Sequence, residues 1–177
     1  MIRIVAGELR GRRLAVGPGV RPTTERAREA LFSILGERVR DARILDAAAG
    51  SGALGFEALS RGAREAVFVE ADRRVGRVLA ANVEAAGLGS RARVVARTVA
   101  AYLVAERPSG FDVVFFDPPW ADPVAAELDG LWNALGPGGT FVVERGTGDA
   151  PWPGAPWAPD ARRYGTTHLF LWSRPGP

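Results

Sequence analysis

Cysteine is absent from this 177-residue chain, and histidine occurs once, at His168. Disulfides, thiolate chemistry and a zinc site of the usual Cys/His kind are therefore excluded. No carboxylate spacing argues for another metal, so none is expected. Lysine is absent too: all 23 basic residues are arginine, which a biased genome explains as readily as function does. No apolar run approaches the ~20 residues that span a bilayer. The first sixteen residues alternate apolar and basic side chains and lack the apolar block of a signal peptide, which predicts a cytoplasmic protein. No internal repeat or low-complexity linker is visible.

What is present describes one compact globular chain. Hydrophobic residues make up 47% and charged residues 24%, enough apolar surface for a substantial core. The charge is unevenly placed. Residues 1–28 hold seven arginines against Glu8 and Glu25, a net of +5, whereas the whole chain carries +3. A localised basic arm suits a polyanion such as nucleic acid. Its candidate contacts are Arg3, Arg10, Arg12, Arg13, Arg21 and Arg26.

The arm reads as a β-hairpin, with strands over Met1–Ala6 and Arg12–Val16 around the turn-forming Gly7-Glu8-Leu9-Arg10-Gly11. It is expected to lie outside the core, so that removing residues 1–17 leaves a folded protein. A helix follows, capped by Thr23 or Thr24, with Ala27, Ala30, Leu31, Ile34 and Leu35 at helical spacing and Gly36 as its stop. From Arg43 strands and helices alternate. Strands are predicted over Arg43–Ala47, Ala66–Glu70, Arg93–Ala96, Phe111–Asp117 and Thr140–Glu144. Helices are predicted over Ala53–Ser60, Asp72–Ala86, Val99–Glu106 and Pro123–Leu135. This rhythm predicts an α/β, Rossmann-like doubly wound parallel sheet. Arg162–Tyr164 and Thr167–Trp172 add a C-terminal antiparallel hairpin turning at Gly165. The Pro/Trp-rich stretch between them and the last parallel strand reads as an ordered loop in which Trp152 and Trp157 pack.

The first chemical signal is Leu45-Asp46-Ala47-Ala48-Ala49-Gly50-Ser51-Gly52-Ala53-Leu54-Gly55, where the first core strand meets its helix. Ligands bind beyond the carboxyl ends of such strands, and glycine lets a ligand approach the backbone. The regular expression G-x-G-x-x-G of dinucleotide enzymes matches, but Asp46 stands four residues before the first glycine. The resulting D-x-x-x-G-x-G is the first motif of class I methyltransferases. Asp46, Ala48, Gly50, Ser51 and Gly52 are therefore candidates for the methionine part of S-adenosylmethionine. Glu70, at the next strand end, suits two ribose hydroxyls, with Ala71 beside it. Thr98 and Val99, after the third strand, are candidates for the adenine.

The second signal is Asp117-Pro118-Pro119-Trp120 at the end of the fourth core strand. The pattern [D/N/S]-P-P-[Y/F/W] marks methyltransferases acting on amino nitrogens conjugated with a ring or carbonyl. Such an amine is a poor nucleophile because its lone pair is delocalised. Asp117 can accept one N–H bond and the Pro118 carbonyl another, which favours the pyramidal nitrogen of the transition state. Trp120 offers a stacking face for an unstacked base. His168 reads as a strand residue.

With these residues in place, the chain resembles the bacterial 16S ribosomal RNA guanine-N2 methyltransferases of the RsmD type. The likeness runs through the basic hairpin, Arg21-Pro22-Thr23-Thr24-Glu25-Arg26-Ala27-Arg28, Asp46 to Gly55, Asp117 to Trp120, and Arg163-Tyr164-Gly165-Thr166-Thr167. Trp120 stands where the family has phenylalanine or tyrosine. The resemblance implies a class I methyltransferase domain over residues 21–177 with a basic hairpin extension over 1–20. It further implies S-adenosylmethionine as cofactor, closure of Thr23 and Arg28 over it, and transfer to guanine N2 in 16S rRNA. The substrate is expected within a small-subunit particle and the enzyme is expected as a monomer. Three alternatives stay open at this point: an adenine-N6 methyltransferase, a nicotinamide oxidoreductase and a ribosome-assembly factor without activity.

Overall fold

The computed structural model describes residues 1–20, 23–118, 125–146 and 152–176. Two short strands open the chain, β1 (Ile2–Arg3) and β2 (Arg13–Leu14), followed by α1 (Glu25–Leu35). The core then alternates β3 (Arg43–Ala47), α2 (Ala53–Ser60), β4 (Glu65–Glu70), α3 (Arg73–Ala85), β5 (Ala92–Ala96), α4 (Val99–Glu106), β6 (Phe111–Phe116), α5 (Ala125–Ala134) and β7 (Leu135–Gly146). The chain closes with β8 (Asp160–Tyr164) and β9 (Thr167–Ser173). Caps set several boundaries. Thr24 accepts from the Ala27 amide ahead of α1, and Asp72 accepts from Arg74 and Val75 ahead of α3. Each satisfies a donor that has no partner inside its helix.

The seven-stranded sheet runs β5-β4-β3-β6-β7-β9-β8. The pairs among β3 to β7 are parallel; β9 pairs antiparallel with both β7 and β8. The expected doubly wound sheet with a closing hairpin is what forms. Alternation along the strands divides the core between two faces. Ile44, Phe68, Phe115 and Val142 join Phe32 of α1 and Phe56 of α2 on one side. Leu45, Val69, Phe116 and Phe141 join Leu128 and Leu131 of α5 on the other. After β5 the chain returns to place β6 beside β3. The winding reverses between those two strands, which is where an open α/β sheet leaves a crevice at its carboxyl edge.

The amino-terminal hairpin departs from expectation. Its strands are two residues each because the backbone finds other partners. The Val5 and Ala6 amides donate to the Glu57 carboxylate of α2 at 2.9 and 3.0 Å, and the Leu9 amide donates to Ser60 Oγ. The Ala15 amide donates to Asn82 of α3 at 3.0 Å. Ile4 and Leu14 are buried in the core. A Cβ on Gly7 would sit 1.8 Å from the Ser60 carbonyl oxygen, so the arm lies directly on α2. The hairpin therefore does contribute to the core, contrary to the expectation that it lies outside it.

Smaller departures concern boundaries. β7 begins at Leu135, before the predicted Thr140, because Gly136–Gly139 is taken into the strand through a register shift against β6. Gly36 ends α1 as expected, capping it at φ 52°, and a 3-10 turn over Gly36–Val39 follows. In the late loop, Trp152 is buried against Phe141 and Trp172 and donates to Asp129. Trp157 meets Trp132 edge-on. Both tryptophans pack, as expected.

Candidate active site

The carboxyl ends of β3, β4, β5 and β6 share one edge of the sheet, and the motif residues follow them. After β3 the chain turns sharply: Ala48, Gly50 and Gly52 all have positive φ, at 59°, 53° and 73°. Two backbone links hold this loop, Ala49 N–H to the Val69 carbonyl at 2.9 Å and Gly52 N–H to the Ala49 carbonyl at 2.7 Å. Glu70 adds a third. One of its oxygens accepts from the Gly50 amide at 2.8 Å, the other from the Asp72 amide at 2.7 Å. The strand-end acid thus braces the glycine loop, and each oxygen keeps a further lone pair for another donor.

Packing explains two of the glycines, including Gly52, which sequence reading assigned to ligand access. A Cβ on Gly52 would meet Leu79 at 2.5 Å and Phe56 at 2.9 Å; one on Gly55 would meet Phe68 at 2.3 Å. A Cβ on Gly50 would lie 3.3 Å from Val20 Cγ1, so the segment leaving the hairpin passes close to the loop there. Ser51 is buried and Ala71 exposed. Thr98 caps α4, accepting from the Ala101 amide, and Val99 begins that helix.

Asp46, buried at the end region of β3, accepts from the Gly55 amide at 2.8 Å. It supplies an acceptor to the first turn of α2, whose N-cap Gly52 has no side chain to do so. Burial, with the nearby charges of Asp117 and Glu70, pushes the Asp46 carboxyl up to about 8 against the partial relief of the Gly55 bond. A crevice lined by mutually repelling carboxylates favours a cationic guest.

Asp117 and Pro118 stand at the end of β6, beside that loop, with Pro118 buried. Pro119 and Trp120 lie outside the described residues, as do Arg21 and Pro22. Thr23 is placed differently from expectation: its hydroxyl lies 3.1 Å from Asp117 Oδ2 and 3.2 Å from Glu144 Oε2. Thr23 therefore contacts the acid of the Asp-Pro-Pro motif. Arg28, expected to close over the cofactor, lies in the interior. It is 1% exposed, donates to the Arg3 carbonyl at 2.6 Å and pairs with the equally buried Glu57 at 3.4 Å. Its guanidinium is committed to joining α1, α2 and the hairpin.

The arm's arginines divide into two groups. Arg3 pairs with Glu25, and Arg12 donates to the Ala85 carbonyl at the end of α3. Arg10, Arg13 and Arg26 are exposed. Among the described residues no cluster of three or more His, Cys, Asp or Glu could hold a metal, and no helix is long and apolar enough to cross a membrane.

The family described as conserved hypothetical protein 95 matches residues 2–173. The chain belongs to that family. Among curated relatives, ribosomal RNA small subunit methyltransferase D of Escherichia coli is 47% identical over 121 residues, 67% of this chain and 60% of the relative. The match thus spans less than two thirds of that relative's length. The Haemophilus influenzae protein of the same name is 39% identical over 152 residues, 81% of this chain and 78% of its own. A solved structure, the putative methyltransferase yhhF from Escherichia coli, superposes with a TM-score of 0.86 at 38% identity, covering 99% of both chains. An RNA methyltransferase from Salinibacter ruber in complex with S-adenosyl-L-homocysteine shares the fold at a TM-score of 0.68 and 17% identity, with 89% of this chain and 95% of that one covered. The sheet is the class I methyltransferase sheet.

Sequence reading missed Glu144, Thr167 and Glu57. Glu144 closes the apolar run Phe141–Val143 with an acid, as Glu70 closes that of β4 and Asp117 follows that of β6. That recurrence was a usable signal. Glu57 belongs to the segment Glu57-Ala58-Leu59-Ser60-Arg61 that shares the family resemblance, but its residue type alone does not announce burial, because an acid in a helix is ordinarily a solvated one.

Proposed function

We propose that this chain transfers a methyl group from S-adenosylmethionine to the exocyclic N2 amine of a guanine in 16S rRNA of the small ribosomal subunit. The observation that carries the proposal is the position of Asp117-Pro118 beside the Glu70-braced glycine loop, across the point where the sheet's winding reverses. The names of the family's curated members support the rRNA substrate.

The residues fit the cofactor's chemistry. Asp46 and its acidic neighbours suit a molecule carrying a sulfonium and an ammonium, and the remaining lone pairs of Glu70 suit ribose hydroxyls. Ala48, Gly50, Ser51 and Gly52 would line the methionine part; Ala71, Thr98 and Val99 would flank the adenine. When bound, the cofactor supplies an electrophilic methyl group on sulfur. Asp117 accepts one N–H of the target amine, the Pro118 carbonyl accepts the other, and Trp120 stacks on the base. The nitrogen lone pair is then aimed rather than activated by a strong base, so orientation supplies most of the acceleration. The new C–N bond forms as the C–S bond breaks, and the nitrogen sheds its proton to Asp117 and thence to water. Arg3, Arg10, Arg12, Arg13, Arg21 and Arg26 are the candidates to meet rRNA phosphates, and of these Arg10, Arg13 and Arg26 are exposed.

The test is methyl transfer from labelled S-adenosylmethionine to small-subunit particles and to free 16S rRNA, followed by digestion to nucleosides. N2-methylguanosine is the expected product. N6-methyladenosine would redirect the assignment to adenine. Calorimetric titration should show binding of S-adenosylmethionine and S-adenosylhomocysteine but not of NAD.

A further inference from the structure

Glu144 is a buried acid for which methyl transfer as described above has no use. It lies on β7, 4% exposed, and the parallel register that pairs Phe116 with Val143 brings it next to Asp117 at the following step. Between the two carboxylates sits the Thr23 hydroxyl, at 3.1 Å from one and 3.2 Å from the other. Thr167 of β9 approaches the second Glu144 oxygen at 3.5 Å. A hydroxyl has one proton to donate. Two short contacts from Thr23 to two acids therefore require a second proton, carried by one of the carboxyls.

We propose that Glu144 is a positioning residue: as a neutral acid it donates to the Thr23 hydroxyl, which donates to Asp117 and leaves that carboxylate's other oxygen to the target amine. The proposal rests on the methyltransferase reading of Asp117. The charges around the pair decide which acid holds the proton. Glu144 faces the Asp117 carboxylate, and among the described residues the hydroxyls of Thr23 and Thr167 offer it relief. Asp117 has the Thr23 bond and the Arg145 charge on its side. Asp46 of β3 faces Asp117 as a further acid, Arg28 of α1 is committed to Glu57, and His168 of β9 stands opposite Arg145. Burial raises both acids, and because Asp117 alone of the two has the Arg145 charge to relieve it, the shared proton rests on Glu144.

The experiment is single-turnover methyl transfer as a function of pH. The wild-type rate should rise through Asp117 ionisation and fall again as Glu144 ionises, because the Thr23 proton can then turn away from Asp117. Glu144→Ala should lose roughly tenfold at neutral pH, the worth of one hydrogen bond. Glu144→Gln should recover most of that loss, because an amide also donates to Thr23, and should abolish the alkaline fall while keeping the acid limb. An alkaline limb unchanged in Glu144→Gln would overturn the proposal. So would a rate no better than that of Glu144→Ala. Thr23→Val, which keeps the shape and removes the hydroxyl, should match Glu144→Ala; wild-type turnover in that variant would also overturn it. A carboxyl-carbon NMR titration of the ligand-free protein reads the pair without turnover. Glu144 should be protonated at pH 7, and an ionised Glu144 would refute the assignment even if the substrate proves to be different. Absence of any transfer by the wild type would instead count against the functional reading alone.

Discussion

At the scale of single residues, the candidate site is a set of carboxyls taken out of water, each with a nearby donor. Asp117→Ala removes the acceptor for the target amine and should lower the single-turnover rate by about 10²–10³. Cofactor affinity should stay within a few-fold, because Glu70 and the glycine loop are untouched. Near-normal turnover would remove Asp117 from the reaction. Asp46 makes a different prediction. Its carboxyl, pushed up to about 8, is largely protonated at neutral pH in the ligand-free protein. A bound sulfonium and ammonium favour the ionised form and lower that value, so cofactor binding at pH 7 should release up to about one proton. Calorimetry in two buffers of different ionisation enthalpy measures the release directly. Identical apparent enthalpies would place Asp46 away from the cofactor's charge.

At the scale of elements, the hairpin and α2 form one unit through Glu57. That carboxylate accepts from Val5, Ala6 and Arg61 and pairs with Arg28, with its own side chain fully buried. Glu57→Ala would leave the Arg28 guanidinium buried without its anion, a loss of about 3–5 kcal/mol when one partner of a buried pair is removed. The hairpin should also become the first segment cleaved by protease. Denaturant unfolding and timed proteolysis check both, and unfolding free energies that agree within error would show that the arm is held elsewhere. Truncation of residues 1–17 should likewise destabilise the protein, since it strips partners from Glu57, Ser60 and Asn82 and uncovers the sites of Ile4 and Leu14. RNA binding is therefore better tested at Arg10, Arg13 and Arg26 than by deletion.

At the scale of the whole molecule, the buried acids tie stability to pH. Asp46, Asp117 and Glu144 all have folded-state values raised above those of an unfolded chain. Between about pH 4 and their folded values the native state binds more protons than the unfolded state, so stability falls as pH rises. The contribution is complete below the unfolded values and is lost as pH rises through the raised folded values, about 8 for Asp46. Asp72 and Glu106 act in the opposite sense: their hydrogen bonds lower them, and their contribution is lost on acidification. The thermal midpoint of the ligand-free protein should therefore be higher near pH 5.5 than near pH 8.5. A midpoint that rises over that interval would show these carboxyls to be solvated.

Strand order of burial, helix caps and the two motif loops were legible in the sequence because each rests on neighbours within about ten residues. A run such as Phe111–Phe116 has nowhere to go but the interior, and Asp46 with Gly50 and Gly52 dictates a turn within one segment. The Asp-Pro-Pro motif named its chemistry through residue types alone. What only the tertiary structure decided is which distant groups share a site. Thr23 lies 94 residues from Asp117 and 121 from Glu144, and the three meet because β6 and β7 lie side by side and the segment before α1 crosses their ends. Nothing local marks Arg28 as the partner of Glu57, yet a guanidinium on a helix goes inward when a buried carboxylate waits for it. Local sequence encodes conformation through sterics and hydrophobicity; the partner of a buried charge is encoded only in the fold that removes both from water.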